Sequence, residues 1–232
     1  MNNPEPTTAE ELMSQLESDP EWVAQRDERD RQRRRRVEQN RHDAEPLRRE
    51  LCELGLQVES VADLYNRRMP YTPAIPLLIE WLPRIENPDV KESLVRALSV
   101  PEARPSAATP MIREFSAAHD SSGLGLRWAI GNSLAVVADD SVFEQIAELA
   151  QDRRWGRARE MIAVALGNMD THRDEAINVL RRLLDDEEVA GHAVIALGKL
   201  RAVEARADVE PFLKHPKAWI QKEAKAALKR IG

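Results

Sequence analysis

Apolar residues recur along much of the chain with the spacing of amphipathic helices. Five segments align without gaps on a central leucine, and apolar or small residues also stand eight, four and one positions before it. Because these positions share one face of an α-helix, each segment predicts a helix with one buried face. The central leucines, spaced by 36, 32, 31 and 31 residues, are Leu98, Leu134, Leu166, Leu197 and Leu228.

A second apolar segment precedes each of these helices. The preceding segments span residues 74–82, 110–115, 142–150, 176–184 and 209–213. The turns between helices are predicted at Asn87-Pro88, Gly123, Gly156 and His215-Pro216, which are typical turn residues. Two helices and a turn in every 31 to 36 residues predict an α-solenoid, in which each repeat buries its apolar face on its neighbours.

The second helices also carry a short motif. It has the form V-[RK]-x-x-[LIA]-x-x-A-L-G and is clearest at Ala165-Leu166-Gly167 and Ala196-Leu197-Gly198. Over residues 74–232 this pattern resembles the short HEAT-like repeats named after phycobilisome lyases. The resemblance implies an all-α, right-handed α-solenoid of about five HEAT-like helix pairs from a bacterial protein. It implies no single activity, because the same scaffold serves unrelated functions.

The sequence before the repeats predicts two further regions. Residues 1–45 form a charged helical N-terminal arm, residues 46–73 a helical cap, and residues 74–232 the solenoid. The arm's main helix is predicted to begin at Asp19-Pro20-Glu21, with a capping aspartate and proline in the first turn. Pro46 is expected to interrupt this helix, and Leu47, Leu51 and Leu54 then form a short apolar seam.

Composition narrows the class of protein. Charged residues make up 32% of the chain and aromatic residues 4%, which favours helices with narrow apolar seams over sheets. The single cysteine, Cys52, excludes an intramolecular disulfide framework and a cysteine-based zinc cluster. The sequence shows neither a signal peptide nor an apolar stretch of about 18 residues, so we expect a soluble, cytoplasmic protein without membrane contact.

Candidate catalytic groups are dispersed. No two of the five histidines are three or four residues apart, and no His-Glu dipeptide of the kind used by HEAT-repeat iron hydroxylases occurs. Cys52 lies in the leucine seam and is expected to be a small buried side chain. The His119–Gly123 stretch contains residue types found in catalytic triads, but it is typical of a polar loop. We therefore expect no catalytic residues, no metal and no cofactor.

Charge is distributed unevenly between the predicted helices. The second helices hold eleven Lys/Arg against five Asp/Glu, a net of +6 in a chain of −6, so the remainder carries −12. Lys91, Arg127 and Arg159 recur seven positions before the central leucine and predict a basic column. This column is either a partner-binding surface or a structural ladder with acids of the adjacent turn. The predicted partner-binding residues are Lys91, Arg127, Trp128, Arg157, Arg159, Lys222 and Lys225.

Two functions from different classes remain open. The first is a scaffold that holds an acidic protein segment on the second helices, which line the concave side in HEAT-like solenoids. The second is a nucleic-acid-binding protein resembling HEAT-like alkylpurine DNA glycosylases, with Trp128, Trp155 and Asp139 as candidates. The arginine-rich stretch of the arm predicts either nucleic-acid or partner contact, or a solvated helix face. Its candidate contacts are Arg31, Arg33, Arg34, Arg35 and Arg36.

Overall fold

The structure, a computed structural model, describes residues 8–120 and 125–232. Every regular element in these ranges is helical. The α-helices are α1 (Ala9–Ser18), α2 (Pro20–Glu53), α3 (Asp63–Asn66), α4 (Ile75–Trp81), α5 (Pro88–Ala97), α6 (Ala108–Ala117), α7 (Leu126–Val137), α8 (Phe143–Gln151), α9 (Glu160–Ala165), α10 (Arg173–Leu183), α11 (Ala190–Lys199), α12 (Arg206–Val209) and α13 (Ala218–Ile231). The predicted turn at Gly123, and the last part of the His119–Gly123 loop, lie outside the described residues.

The chain divides into two compact units, residues 1–45 and 46–232. In the first unit both helices begin with side-chain caps. The hydroxyl of Thr8 accepts the N–H of Glu11 at 3.2 Å, and the Glu11 carboxylate accepts the N–H of Thr8 at 3.0 Å, which forms a capping box at α1. Asp19 Oδ1 accepts the N–H of Glu21 at 2.9 Å. The predicted start of α2 is confirmed, whereas α1 was not predicted from the sequence.

The prediction that Pro46 interrupts the long helix is wrong. Helix α2 continues through Pro46 as far as Glu53, although proline removes one backbone donor from the helix. Leu47 and Leu51, which follow Pro46 in the helix, are fully buried, and their packing holds the last turns in helical form. Leu54, the third residue of the predicted seam, is 51% exposed because the chain turns away there at Gly55, whose φ is +84°.

The second unit repeats one arrangement of helices. Helices α5, α7, α9, α11 and α13 pack against one another in chain order. Each of α6, α8 and α10 packs on the helix that follows it, and α12 packs on α13 in the same way. This confirms the helix–turn–helix pattern and the all-helical solenoid class. The number of repeats and the hand of the solenoid stay predictions.

Small residues set the distance between successive helices. A Cβ atom placed on Gly198 of α11 would lie 2.7 Å from the Cα of Ala227 in α13. A Cβ atom on Gly167 would lie 3.3 Å from the Cα of Ala196 in α11. The backbones of neighbouring helices therefore approach as closely as van der Waals contact permits, and larger side chains at these positions would separate them.

Candidate functional site

The three cations of the predicted basic column are engaged in contacts within the chain. The ammonium group of Lys91, on α5, forms an ion pair with Glu114 of α6, and both side chains are about 15% exposed. The guanidinium of Arg127 donates to the backbone oxygens of Phe115 and Asp120 at 3.1 Å each, and also to that of Ala118. These oxygens lie at the C-terminal end of α6 and just beyond it, where helix carbonyls lack backbone donors.

Arg159 is the most deeply buried member of the column. Its side chain is 0% exposed, and Nη1 donates to Asp186 Oδ2 at 2.9 Å and to the carbonyl of Ala150, at the end of α8, at 3.2 Å. Nη2 donates to Glu188 Oε2 at 2.9 Å. A side chain without exposed surface cannot contact a partner in this conformation, so the partner-binding prediction for Arg159 is wrong.

These contacts decide how the basic column predicted from the sequence is interpreted. Of the two alternatives left open by the sequence, the geometry of Lys91, Arg127 and Arg159 matches the structural ladder. Arg127 and Arg159 each neutralise the C-terminal end of the preceding helix, where the helix dipole favours a positive charge. The positive charges of these three residues are therefore engaged within the chain.

Trp128 is half-buried and lies away from the other aromatic candidates. It lines an open cavity of about 350 Å³ between α5 and α7, together with residues that include Tyr65, Arg96 and Asn132. Trp155 instead packs edge-on against Phe115 and beneath the guanidinium of Arg127, which is 4.7 Å from its ring centre. Asp139 follows the opposite end of α7 from Trp128 and accepts the N–H of Ser141 at 3.0 Å. The structure does not bring the three glycosylase-like candidates together.

A carboxylate and an imidazole meet where α9 packs on α11. Glu160 is 8% exposed and accepts a hydrogen bond from Nε of Arg157 at 2.8 Å. Its second carboxylate oxygen lies 4.0 Å from Nε2 of His192, whose side chain is 17% exposed. Burial lowers the pKa of His192 below its usual value, the Arg157 charge adds to this effect, and the Glu160 and Glu223 charges oppose it. The imidazole is therefore neutral at pH 7.

The indole of Trp219 completes this cluster from α13. Its ring centre is 5.3 Å from that of His192, and the two planes are tilted by 52°. A Cβ atom on Gly191 would lie only 2.3 Å from Cη2 of Trp219, so the absence of a side chain at Gly191 makes room for the ring. Trp219 nevertheless remains 44% exposed. We call His192 and Trp219 the aromatic shelf.

Exposed cations follow the aromatic shelf along α13. Lys222 and Lys225 succeed Trp219 at intervals of three residues, so the three side chains lie on the same side of the helix. Both lysines are exposed, and within residues 8–120 and 125–232 neither forms an ion pair. Residues 217–231 hold five Lys/Arg against the single acid Glu223, a net of +4. The positive charge of the second helices that faces solvent is therefore concentrated here.

The other residues singled out in the sequence lie outside the surface formed by Trp219, Lys222 and Lys225. Arg157 is 58% exposed and paired with Glu160, beside the aromatic shelf. The arginines of the 31–36 stretch lie on α2, in the first unit, and are exposed. Cys52 is half-buried, whereas the sequence predicted a buried side chain. Its sulfur lies 3.8 Å from Nη1 of Arg48.

The pairing of Glu160 with His192 was not identified from the sequence. In the aligned second helices Glu160 stands six positions before its central leucine and His192 five positions before the next one. Similar positions on stacked helices become neighbours, so the alignment of repeats contained the signal.

Among the described residues, no cluster of three or more His, Cys, Asp or Glu side chains is suited to a metal ion. No helix in those residues combines the length and apolar character needed to cross a bilayer.

Comparison with known proteins identifies no family. No protein-family model matches the chain, and no curated protein matches it. Among solved structures, the chain is similar to a designed armadillo repeat protein in complex with the peptide (KR)4, with 18% sequence identity and a TM-score of 0.45. The match covers 100% of this chain and 96% of that one.

Proposed function

We propose that this protein is a non-catalytic scaffold that binds an acidic protein segment along α11 and α13. The observation that carries the proposal is the exposed indole of Trp219, fixed against Gly191 and His192 and followed by the exposed cations Lys222 and Lys225. A large aromatic side chain held in one position provides a binding anchor at low conformational cost. Flanking lysines then select for carboxylates and speed encounter with them.

Two features favour a protein segment as the ligand. The half-buried side chain of Ile195 lies three residues after His192, on the same side of α11, and extends the apolar part of the surface. Interface centres are enriched in aromatic and apolar groups and are surrounded by charged residues at the rim, as here. A segment with one aromatic or aliphatic side chain followed by acids would place the apolar group against Trp219 and the carboxylates near Lys222 and Lys225.

Selection from a displayed library of random peptides tests this proposal and requires no candidate partner. We expect the enriched sequences to combine an apolar residue with two or more Asp or Glu. Trp219→Ala and the double variant Lys222→Glu/Lys225→Glu should each weaken binding of a selected peptide at least tenfold. Gly191→Ala should also weaken it, because the added methyl group displaces the indole while leaving Trp219 in the sequence.

A charge-matched control separates local binding from general electrostatics. Arg113 and Lys214 are exposed and lie outside α11 and α13. Arg113→Glu/Lys214→Glu changes the net charge by the same amount and should alter peptide affinity less than threefold. Equal losses in both double variants, or selected peptides without acidic enrichment, would contradict the proposal. Circular dichroism checks that each variant retains its helices.

A further inference from the structure

Helix α2 carries a dense group of arginines that the proposed scaffold does not use. Residues 29–36, called here the arginine run, contain six arginines, one aspartate and one glutamine, a net charge of +5. All of these residues are exposed. The remainder of the chain carries −11, since the whole chain carries −6. The arginine run is therefore a strongly positive segment in a chain that is otherwise acidic.

Few of these guanidiniums are neutralised by neighbouring acids. Arg31 pairs with Glu28 at 2.8 Å, and this contact and the hydrogen bond from Gln32 lower the pKa of the Glu28 carboxyl. In the part of the chain that the structure describes, Arg29, Arg33, Arg34 and Arg35 have no carboxylate within ion-pair distance. Arg34 thus does not form the pairs four residues apart that its spacing from Asp30 and Glu38 would allow.

The unpaired arginines surround the helix. At about 100° per residue, Arg33, Arg34 and Arg35 point in three different directions, and Arg29 lies near the direction of Arg33. The arginine run itself contains no apolar residue. A single protein surface would meet only part of this circumference and would find no apolar anchor there.

We propose that the arginine run binds duplex DNA by lying in the major groove. The groove is about 12 Å wide and accepts one α-helix, which is about 10–12 Å across with its side chains. Phosphates flank the groove on both sides, so cations that point in different directions can each meet one. Guanidinium groups bind phosphate oxygens through two parallel hydrogen bonds, which favours arginine in this role. The contacts are with the backbone, and binding is independent of base sequence.

Fluorescence anisotropy with a labelled 20-base-pair duplex and the full chain tests the proposal. With about four phosphate contacts, affinity should fall about 150-fold between 50 and 200 mM salt. The variant Arg33→Gln/Arg34→Gln/Arg35→Gln should weaken binding at least tenfold at 50 mM salt and flatten the salt dependence. Glutamine is chosen because its helix propensity is close to that of arginine, so α2 should keep its helicity.

The control removes the same charge from the proposed peptide surface. Lys217→Gln/Lys222→Gln/Lys225→Gln should leave DNA affinity within threefold of the parent, while it weakens binding of acidic peptides. The two proposals can therefore fail separately. The DNA proposal is overturned by absent binding at 50 mM salt, by equal affinity in the arginine variant, or by equal loss in the lysine control. Equal or tighter binding of the single strand would likewise overturn it.

Discussion

Arg159 and Asp186 form a buried ion pair that joins two successive repeats. Nη1 of Arg159 donates to Oδ2 of Asp186 at 2.9 Å, and the two side chains are 0% and 9% exposed. Arg159 immediately precedes α9, and Asp186 lies in the turn after α10. The same guanidinium also donates a hydrogen bond to the carbonyl oxygen of Ala150 at 3.2 Å. Removal of either partner would leave a largely buried charge with one ion-pair partner fewer.

We expect Arg159→Ala to lower the free energy of unfolding by about 3–5 kcal/mol, the range for breaking a buried pair. The exposed Arg153, whose Nε lies 3.3 Å from Asp186, should keep the loss toward the lower end. Urea denaturation followed by circular dichroism measures the change. Arg154→Ala is the matched control, because Arg154 pairs with Asp152 at the surface and should cost less than about 1 kcal/mol. Similar losses in the two variants would contradict a special role for Arg159.

A second contact between repeats depends on Asp140. Its carboxylate accepts the backbone N–H groups of Asp170, Thr171 and His172 at 2.9–3.2 Å. These hydrogen bonds keep the pKa of Asp140 below its usual value even though burial opposes them. Asp140→Ala should therefore cost about 2–3 kcal/mol in urea denaturation, since three backbone donors lose a charged acceptor. Ser141→Ala, in the adjacent exposed position, should cost less than about 1 kcal/mol.

The stability that Asp140 contributes should also depend on pH. Because its pKa is lower in the folded protein, this contribution is present above the unfolded value near 4 and is lost as pH falls further. The stability difference between the parent and Asp140→Ala should therefore shrink below pH 4. A constant difference down to pH 2.5 would argue against an ionised acceptor.

The sequence identified the helices better than the site because helices depend on periodicity and sites depend on partners. The spacing of Leu98, Leu134 and Leu166 follows one buried face and is visible in the sequence alone. The role of Arg127 is not visible in the sequence, because its acceptors are backbone oxygens that any residue type supplies. The prediction of a break at Pro46 is wrong for a related reason, because tertiary packing of Leu47 and Leu51 outweighs the local cost of one missing donor.

The close approach of α11 and α13 gives a further prediction. Gly198→Ala would place a methyl group 2.7 Å from the Cα of Ala227, which is backbone and cannot move aside. We expect a loss of about 1–3 kcal/mol from overpacking, despite alanine's higher helix propensity. Gly131→Ala in α7 is the comparison, because its nearest contact is 3.2 Å and should require a smaller shift. Thermal unfolding of both variants ranks them, and a more stable Gly198→Ala protein would contradict the observed spacing.

The last prediction concerns acidification and His192. Its pKa is lowered in the folded protein, chiefly by burial, so the unfolded chain takes up a proton near pH 6.5 before the native protein does. The native state is therefore favoured above pH 6.5, and this advantage is lost as pH falls below that value. Between pH 6.5 and 5.5 the loss from one histidine is at most about 1.4 kcal/mol.

Urea denaturation at pH 7.5 and 5.5 measures this effect. Both pH values lie above the pKa values of the carboxyl groups of Asp140, Asp186 and Glu204, which are lowered, so these groups stay ionised throughout. His192→Gln should remove much of the difference between the two pH values, because glutamine fills similar space and does not titrate. His42→Gln, an exposed position on α2, is the control and should retain the parent's difference. If His192→Gln shows the same loss on acidification as the parent, burial of a neutral imidazole is not its cause.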